Sequence, residues 1–371
     1  MELKEYRFDE VTINFDKKRV PLSGAQREKR QGNFRYYGAQ GVIDHIDDFI
    51  FDGTYLLIAE DGENLKSKKQ NIAQVVEGQF WVNNHAHIVQ GNELCNTRYL
   101  CYLLNSMDLS GYVTGSAQPK LSQANLNAVT LFLPSITVQE RIVECLYLFD
   151  KKIAVNQKIN DNLQQQAAAL FANFYDQAET EVGFTEIIQI LGGGTPKTSE
   201  SSYWNGNVPF FTPKDVGLPY TLTTEKTITE EGLAHCNSGL YPINTVFVTA
   251  RGTVGKVGLS GVPMAMNQSC YALVGKDTHQ LLVYFYTLEA VARLKHKASG
   301  AVFDAITTRD FESEIIMKLS DDDAKAFLDV AEPIYQAVLS NSIENLRLAA
   351  LRDSLLPKLM SGGIDVSGIQ L

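Results

Sequence analysis

The chain has 371 residues, enough for two domains, and its 44% hydrophobic and 20% charged content is typical of a globular protein. No apolar run approaches the roughly 18 residues of a membrane span, the N-terminal segment is unlike a signal peptide, and the five cysteines form no CxxC pair, so we expect a reduced cytoplasmic protein that binds no membrane. The net charge of −10 disfavours nucleic-acid binding, but seven basic residues against one acid in segment 17–35 leave that function open.

Residues 1–136 predict a domain of mixed helix and strand, which we call head 1. Short β-rich runs predict strands, and the Gly-containing pairs between them predict turns. The strands are predicted at 55–59, 86–89 and 129–133, the turns at Asp52-Gly53, Asp61-Gly62 and Glu77-Gly78, and a helix at 98–107.

A long helix is predicted at 137–178, because residues 138–176 contain neither Pro nor Gly. Thr137 is a candidate N-cap, and Glu140 three residues on would complete a capping box. Apolar residues and two asparagines then recur at alternating spacings of four and three, which is typical of a coiled-coil seam. The seam residues are Ile142, Leu146, Phe149, Ile153, Asn156, Asn160, Leu163, Ala167, Leu170 and Phe174. At about 1.5 Å per residue this helix is roughly 60 Å long and needs a partner.

Residues 179–320 predict a second domain, head 2. It is punctuated by Gly, Thr and Pro at 192–196 and 208–215, which predict turns. Strands are predicted at 245–249 and 269–274, and a helix at 281–297. A second long helix is predicted within 321–361, running from about residue 323 to 360 and followed by a tail at 362–371. Pro333 predicts a kink or a late start in that helix.

An internal repeat relates the two halves of the chain. The pattern of residues 115–174 recurs at 300–359 with a constant offset of 185. The seam of the first helix is symmetric about residue 158, so antiparallel packing would place Asn156 opposite Asn345 and Asn160 opposite Asn341. The predicted seam of the second helix also includes Ile334, Val338, Leu348 and Leu355. The predicted fold is therefore α+β, with two similar mixed α/β heads separated by two long antiparallel coiled-coil helices and related by a pseudo-two-fold repeat.

Catalytic motifs are missing from the sequence. There is no Asn/Asp-Pro-Pro-aromatic motif of an amino-methyltransferase, and the segment from Arg251 to Lys256 lacks the spacing of a phosphate-binding loop. His85 and His87 fall on one face of a predicted strand, but no further metal ligands accompany them. We therefore expect neither catalysis, a metal site nor a cofactor in this chain.

Polar, aromatic and basic residues cluster near the predicted turns of both heads. Asn and Gln can pair with adenine, and Arg and Lys with guanine, so these residues are candidate DNA contacts; the alternative is that they form turns and solvated loops. In head 1 they are Tyr36, Tyr37, Gln40, Lys66, Lys68, Lys69, Asn83, Asn84, His85, Gln118 and Lys120. In head 2 they are Thr195, Lys197, Lys214, Arg251, Thr253, Lys256, Asn267, Gln268, Ser269 and Arg309.

Several motifs resemble those of the DNA specificity subunit of type I restriction-modification systems. The sequence YYGAQG at 36–41 is similar to that family's YGANG-like motif, and GGTP at 193–196 with VPFFTPKD at 208–215 is similar to its GGTP and TPKD motifs. The QERIV segment at 139–143 resembles the start of the family's first shared helix, and LRDSLLPKLMSG at 351–362 resembles the end of its second. The resemblance covers nearly the whole chain.

The resemblance implies a non-catalytic targeting subunit. Each head would be a target recognition domain for half of a bipartite site in double-stranded DNA. The two helices would be spacers on which two methyltransferase subunits dock; those subunits carry S-adenosylmethionine, and separate motor-nuclease subunits use ATP with Mg²⁺. Asp321-Asp322-Asp323 replaces the family's usual Pro-Leu-x-x-Gln at the start of the second helix. Two alternatives remain: the specificity component of another restriction-modification type, and a coiled-coil scaffold whose heads bind protein.

Overall fold

The computed structural model describes residues 2–67, 70–115, 118–217, 219–297 and 305–366. The chain divides into two compact units. Unit 1 comprises Met1–Lys151 and Leu348–Leu371, and unit 2 comprises Lys152–Arg347. Within the described ranges, no helix is long and apolar enough to cross a membrane.

Unit 1 contains a mixed sheet with the strand order β2-β7-β5-β6-β3-β4 and a separate antiparallel pair, β1 and β8. In the large sheet β3 pairs with β6 in parallel, whereas β5 is antiparallel to both β6 and β7. The strands are β1 (Lys4–Arg7), β2 (Thr12–Asn14), β3 (Gln31–Gly38), β4 (Gly41–Ile46), β5 (Phe51–Ala59), β6 (Ala73–Val82), β7 (Ala86–Gly91) and β8 (Thr130–Leu133). The helices are α1 (Gly24–Glu28), α2 (Asn64–Ser67), α3 (Thr97–Ser106), α4 (Gln123–Asn127) and the start of α5 (Ile136–Gln177).

The centre of this sheet is buried on both faces. Leu56 and Ile58 of β5 lie in one apolar cluster with Tyr99 and Leu100 of α3. Leu57 points the other way, into a second cluster that contains Phe51, Phe80 and Ile88. Strand side chains alternate between the two faces, so the continuous apolar run at the end of β5 follows from its central position.

Two glycines that had predicted turns lie instead inside paired strands. Gly53 of β5 is directly opposite Gly78 of β6, and both have positive φ, at 129° and 82°. The ring centroids of Phe51 and Tyr55, on either side of Gly53, lie 5.3 Å apart, whereas the Cα atoms of residues i and i+4 in a flat strand are about 13 Å apart. The ribbon therefore bends at the glycines, and the turns predicted at Asp52-Gly53 and Glu77-Gly78 are wrong.

Unit 2 contains sheets with the strand orders β10-β17-β14-β15-β12 and β13-β11-β16, and the antiparallel pair β9 and β18. The strands are β9 (Thr180–Gly183), β10 (Ile188–Gly192), β11 (Trp204–Phe211), β12 (Tyr220–Thr221), β13 (Lys226–Ile228), β14 (Val246–Thr249), β15 (Val257–Ser260), β16 (Ala265–Met266), β17 (Cys270–Gly275) and β18 (Ile315–Lys318). The helices are α6 (Phe184–Ile187), α7 (Glu230–Ala234), α8 (Gln280–Lys297), α9 (Thr308–Glu312) and most of α10 (Asp321–Met360), which ends in unit 1.

The internal repeat predicted from the sequence is confirmed element by element. Helices α4 and α9, strands β8 and β18, and the first residues of α5 and α10 are each related by the offset of 185. Ser122 and Thr307 are the matching N-caps of α4 and α9. Gly300, the counterpart of Gly115, lies outside the described residues.

The two long helices pack antiparallel within unit 2, and the predicted asparagine pairs are confirmed. Asn156 Nδ2 donates to Asn345 Oδ1 at 2.9 Å, and Asn341 Nδ2 donates to Asn160 Oδ1 at 2.8 Å. Asn156 and Asn160 are 1% and 7% exposed, so their amides need protein partners. Besides the asparagine pairs, Asn156 Nδ2 donates to Glu344 Oε2 at 2.6 Å and Asn160 Nδ2 donates to Ser342 Oγ at 3.3 Å. The apolar seam continues through Leu163, Ala167, Ile334 and Val338.

Beyond Ala167 the buried face of α5 departs from the predicted seam. Phe171 and Tyr175 are buried, whereas the predicted Leu170 and Phe174 only flank the core. Phe171 stacks on Phe285 of α8, with the ring centroids 4.9 Å apart. Because a straight helix has 3.6 residues per turn, a strict 3.5-residue pattern drifts around it unless the helices supercoil. Contacts with head 2 therefore decide the buried face at this end.

In unit 1 the other ends of the two helices also lie side by side. Ile142 and Leu146 are fully buried in a cluster against which Leu355 and Leu359 pack, while Phe149 and Leu348 are half-buried. Ile153, which belongs to unit 2, is half-buried as well. Arg352 Nη1 donates to Asp150 Oδ1 at 2.6 Å.

The starts of both long helices differ from the sequence predictions. Helix α5 begins at Ile136, so Thr137 is not its N-cap. Helix α10 begins at Asp321, and Pro333 lies on its exposed face, so the predicted late start is wrong. Tertiary packing of the opposite face, which includes Phe327 and Tyr335, compensates for the backbone hydrogen bond that the proline removes.

Candidate nucleic-acid interface

In unit 1, several loops that carry predicted DNA contacts meet. Glu60 N donates to His85 O at 3.0 Å, and Leu121 N donates to Glu60 O at 2.8 Å, which joins three loops. Gln40, at the tip of the β3–β4 hairpin, donates to Asn64 Oδ1 at 3.2 Å. The geometry thus brings Gln40, Asn84, His85 and Lys120 onto neighbouring loops, all of them exposed.

The charged side chains of these unit 1 loops pair with one another. His85 Nδ1 lies 2.8 Å from Asp61 Oδ2. Glu60 forms ion pairs with Arg19 at 3.2 Å and with Lys120 at 3.3 Å. Arg19, Glu60 and Asp61 were not among the predicted contacts. The sequence signal for Glu60 and Asp61 was the predicted Asp61-Gly62 turn, and the signal for Arg19 was the basic segment 17–35. Unit 1 therefore presents a surface of nearly balanced charge here.

In unit 2, the equivalent loops meet in the same way. Asn267 N donates to Phe211 O at 3.0 Å, Ala250 N to Ser269 O at 2.8 Å, and Ile306 N to Ala250 O at 2.9 Å. Thr195 hydrogen-bonds to Gln268. Gly193 has no room for a side chain, because a Cβ there would lie 2.2 Å from Asn267 O. This close approach explains the glycine of the GGTP motif.

Basic side chains are exposed on these unit 2 loops. Asp215 Oδ2 accepts from Thr212 N at 2.8 Å and Oδ1 accepts from Glu225 N at 2.7 Å, which fixes the TPKD loop. Lys214 is consequently presented to solvent, with its side chain 82% exposed. Arg251, Thr253 and Lys256 are also exposed. This surface is more basic than its counterpart in unit 1.

Asn83 and Asn267 have a structural role that their sequence context did not reveal. Asn83 Oδ1 accepts from His85 N at 2.8 Å, and Asn267 Oδ1 accepts from Ser269 N at 3.0 Å. Each side chain therefore closes a turn and presents the following residue, Asn84 or Gln268, to solvent. Asn83 is only 7% exposed, so base pairing by its amide is disfavoured in this conformation.

Tyr36 and Tyr37 belong to the core of unit 1. Tyr36 is 0% exposed, and its hydroxyl accepts from Leu22 N at 2.9 Å. Tyr37 is 4% exposed, and burial raises the pKa of its hydroxyl, with Arg35 opposing the shift. The assignment of Tyr36 as a DNA contact is therefore wrong, because a covered side chain presents no surface to a ligand.

The remaining candidates lie around these loops. Lys66 Nζ donates to Gly115 O at 2.9 Å. The carbonyl of Lys197 accepts from Trp204 Nε1 at 3.3 Å, and Gln118 and Arg309 are exposed. Lys68 and Lys69 lie outside the described residues.

A buried ion pair lies beneath the unit 1 loops. His87 Nδ1 is 2.6 Å from Asp16 Oδ2, and His87 Nε2 is 2.9 Å from Leu121 O. Both ring nitrogens face acceptors, so the doubly protonated imidazolium suits the site. Burial opposes a charged His87, but the hydrogen bonds to Asp16 and Leu121 and the charges of Asp16 and Glu60 together outweigh burial and raise the pKa of His87. Burial similarly opposes the carboxylate of Asp16, yet the bonds from His87 and Ile88 hold its pKa below the ordinary value.

His85 and His87 do not share an environment, since His85 is exposed and His87 is buried. Within the described residues no group of three or more His, Cys, Asp or Glu side chains is arranged to hold a metal ion.

Comparison with known proteins gives a consistent result. Residues 2–165 and 180–318 match the model of the type I restriction modification DNA specificity domain. A putative type I restriction enzyme specificity subunit of Haemophilus influenzae is 35% identical over 138 residues, which cover 37% of this chain and 35% of that protein. The type I restriction enzyme HindI specificity subunit of the same species is 23% identical, with 84% of each chain covered. The crystal structure of the type I restriction-modification S subunit from M. genitalium is similar in fold, with a TM-score of 0.59, 13% identity, and 97% of this chain and 96% of that chain covered.

Proposed function

Because the chain belongs to the family of type I restriction-modification DNA specificity proteins, we propose that it directs a modification and restriction complex to a bipartite sequence in double-stranded DNA, one half recognised by each head. One observation carries this proposal. The same hydrogen-bonded frame of loops occurs once in each unit, with different exposed side chains on it. A duplicated frame with different contacts suits two half-sites of different sequence.

The charge of the chain is compatible with this role. The net charge of −10 belongs to the whole chain, whereas Lys214, Arg251 and Lys256 are exposed together on the unit 2 loops. Phosphate contacts by such residues supply affinity without sequence information, and the base-facing residues supply the specificity.

The long helices would be the docking surface for two methyltransferase subunits. Large apolar side chains are exposed along both helices, although the rest of each helix is mostly polar outside its seam. They are Leu148, Val155 and Ile159 on α5 and Val330, Leu346 and Leu351 on α10, each between 43% and 52% exposed. On α5 the spacings of seven and four between Leu148, Val155 and Ile159 place these side chains on one face of the helix, and a contiguous exposed apolar face is typical of protein-binding sites. The chain itself would be non-catalytic: the methyltransferase subunits would bring S-adenosylmethionine, and motor-nuclease subunits would use ATP with Mg²⁺.

The proposal is tested by exchanging one head. Residues 185–320 are replaced by the matching segment of a relative with another target, and the chain is expressed with its methyltransferase subunits. Methylated adenines are then mapped across the genome. We expect one half of the target to change and the other to remain. A change in both halves, or methylation without a bipartite pattern, would contradict independent recognition by two heads. Methyl transfer by the purified chain alone would contradict its non-catalytic role.

A further inference from the structure

Asp61 and Arg251 occupy equivalent positions in the two units. In unit 1, Glu60 precedes Asp61, and Glu60 N donates to His85 O in the loop after β6 at 3.0 Å. In unit 2, Ala250 precedes Arg251, and Ala250 N donates to Ser269 O in the loop after β16 at 2.8 Å. The carbonyl of that preceding residue accepts from Leu121 N in unit 1 and from Ile306 N in unit 2, a pair related by the offset of 185.

The backbone beyond these positions is equivalent too. Asp61 forms an isolated bridge with Lys120, and Arg251 forms one with Ala305, again 185 residues apart. A glycine with positive φ follows each, Gly62 at 127° and Gly252 at 80°. The same backbone frame therefore carries a carboxylate in one unit and a guanidinium in the other.

The two side chains also differ in their hydrogen-bond partners. Asp61 is 25% exposed and pairs with His85, which keeps its carboxylate oriented. Arg251 is exposed, and among the described residues no acceptor lies within hydrogen-bonding distance of its guanidinium. A guanidinium with unused donors is suited to an external acceptor, whereas a carboxylate repels phosphate and is tolerated in a DNA interface only opposite a donor.

We propose that Asp61 and Arg251 are equivalent base-contacting residues of opposite hydrogen-bond polarity. Arg251 donates to O6 and N7 of a guanine in the half-site of unit 2. Asp61 accepts from the exocyclic amino group of a cytosine or adenine at the corresponding position of the unit 1 half-site. These are the pairings that the major-groove edges offer to the two side chains. The inference rests on the proposed function, since it identifies which residues distinguish the two half-sites.

The test compares Arg251→Gln, Arg251→Asp and Asp61→Asn, each expressed with the cognate methyltransferase subunits, by mapping methylated adenines in cells. Arg251→Gln should relax discrimination at one base pair of one half-site by about 5- to 150-fold, the worth of a bidentate contact. Arg251→Asp should shift that position from guanine toward cytosine or adenine. Asp61→Asn should relax one base pair of the other half-site only.

Lys276→Gln is the matched control. Lys276 is an exposed basic residue at the opposite end of β17 from the candidate interface, so this variant should keep the wild-type pattern. Two results would overturn the inference. The first is unchanged specificity in folded, active Arg251 and Asp61 variants. The second is a uniform loss of binding by Arg251→Gln, with the slope of log affinity against log salt reduced by about one, which identifies a phosphate contact. A wild-type complex without a bipartite target would instead refute the proposed function.

Discussion

The asparagine layer of the helix pair offers a quantitative test of the packing in unit 2. Asn156 is 1% exposed and donates to Asn345 Oδ1 at 2.9 Å. Changing Asn156 to Leu removes that donor and leaves the Asn345 amide facing an apolar group, which costs about 1–3 kcal/mol. It also removes the hydrogen bond from Asn156 to Glu344 Oε2, but Glu344 is 44% exposed and keeps its ion pair with Lys152. Asn345 is only half-buried, so water can reach its amide and we expect the lower half of this range. Changing both residues to Leu should restore most of the stability, because two apolar side chains suit a seam position.

The measurement is a double-mutant cycle on the free energy of urea unfolding, followed by circular dichroism and by the fluorescence of Trp81 and Trp204, which lie in units 1 and 2. We expect a coupling energy of about 1–2 kcal/mol between the two positions. Asn162→Leu is the control: Asn162 is exposed on the same helix, so its substitution should change stability by less than about 0.5 kcal/mol. A coupling energy below about 0.3 kcal/mol would show that the two asparagines do not stabilise each other, since contacting residues should not behave additively.

Three further predictions concern unit 1 and the TPKD loop. His87→Gln should destabilise the protein most below pH 6.5, because the folded pKa of His87 is raised and its ion pair with Asp16 is lost as pH rises through that pKa. The difference in the free energy of unfolding between wild type and variant should therefore shrink from pH 5.5 to 8.5. A difference that grows with pH would contradict this prediction. Gln139→Leu should lower the free energy of unfolding by about 3 kcal/mol, because the buried amide bonds to three backbone groups. The control is Glu140→Gln, which changes the exposed neighbouring residue and should leave the free energy of unfolding nearly unchanged in the same urea assay. Asp215→Ala should release the loop that presents Lys214 and weaken DNA binding of the complex by fluorescence anisotropy, with a melting temperature within a few degrees of wild type; unchanged affinity would exclude this loop from the interface.

The long helices and their pairing could be predicted from the sequence. The spacing of apolar residues and asparagines is a local property of the chain, and in a long helix it determines which face is buried. The offset of 185 and the symmetry of the seam predicted Asn345 and Asn341 as the partners of Asn156 and Asn160, and the hydrogen bonds confirm both pairs. Beyond Ala167 the same spacing did not predict the buried face, because contacts with head 2 decide it. The strand positions near 55–59 and 246–249 also followed from local patterns.

The candidate interface depended on contacts between residues that are distant in the sequence. Tyr36 and Asn84 both looked like exposed polar residues near a turn, but neighbouring elements cover Tyr36 and leave Asn84 in solvent. The Gly53–Gly78 pair looked like two turns and instead bends a ribbon of paired strands. The equivalence of Asp61 and Arg251 rests on hydrogen bonds to loops 24 and 18 residues away along the chain, at 85 and 269. Local sequence determines the periodicity of an element. The burial of a side chain and the meeting of loops depend instead on which other elements pack against that element, and those elements are distant in the sequence.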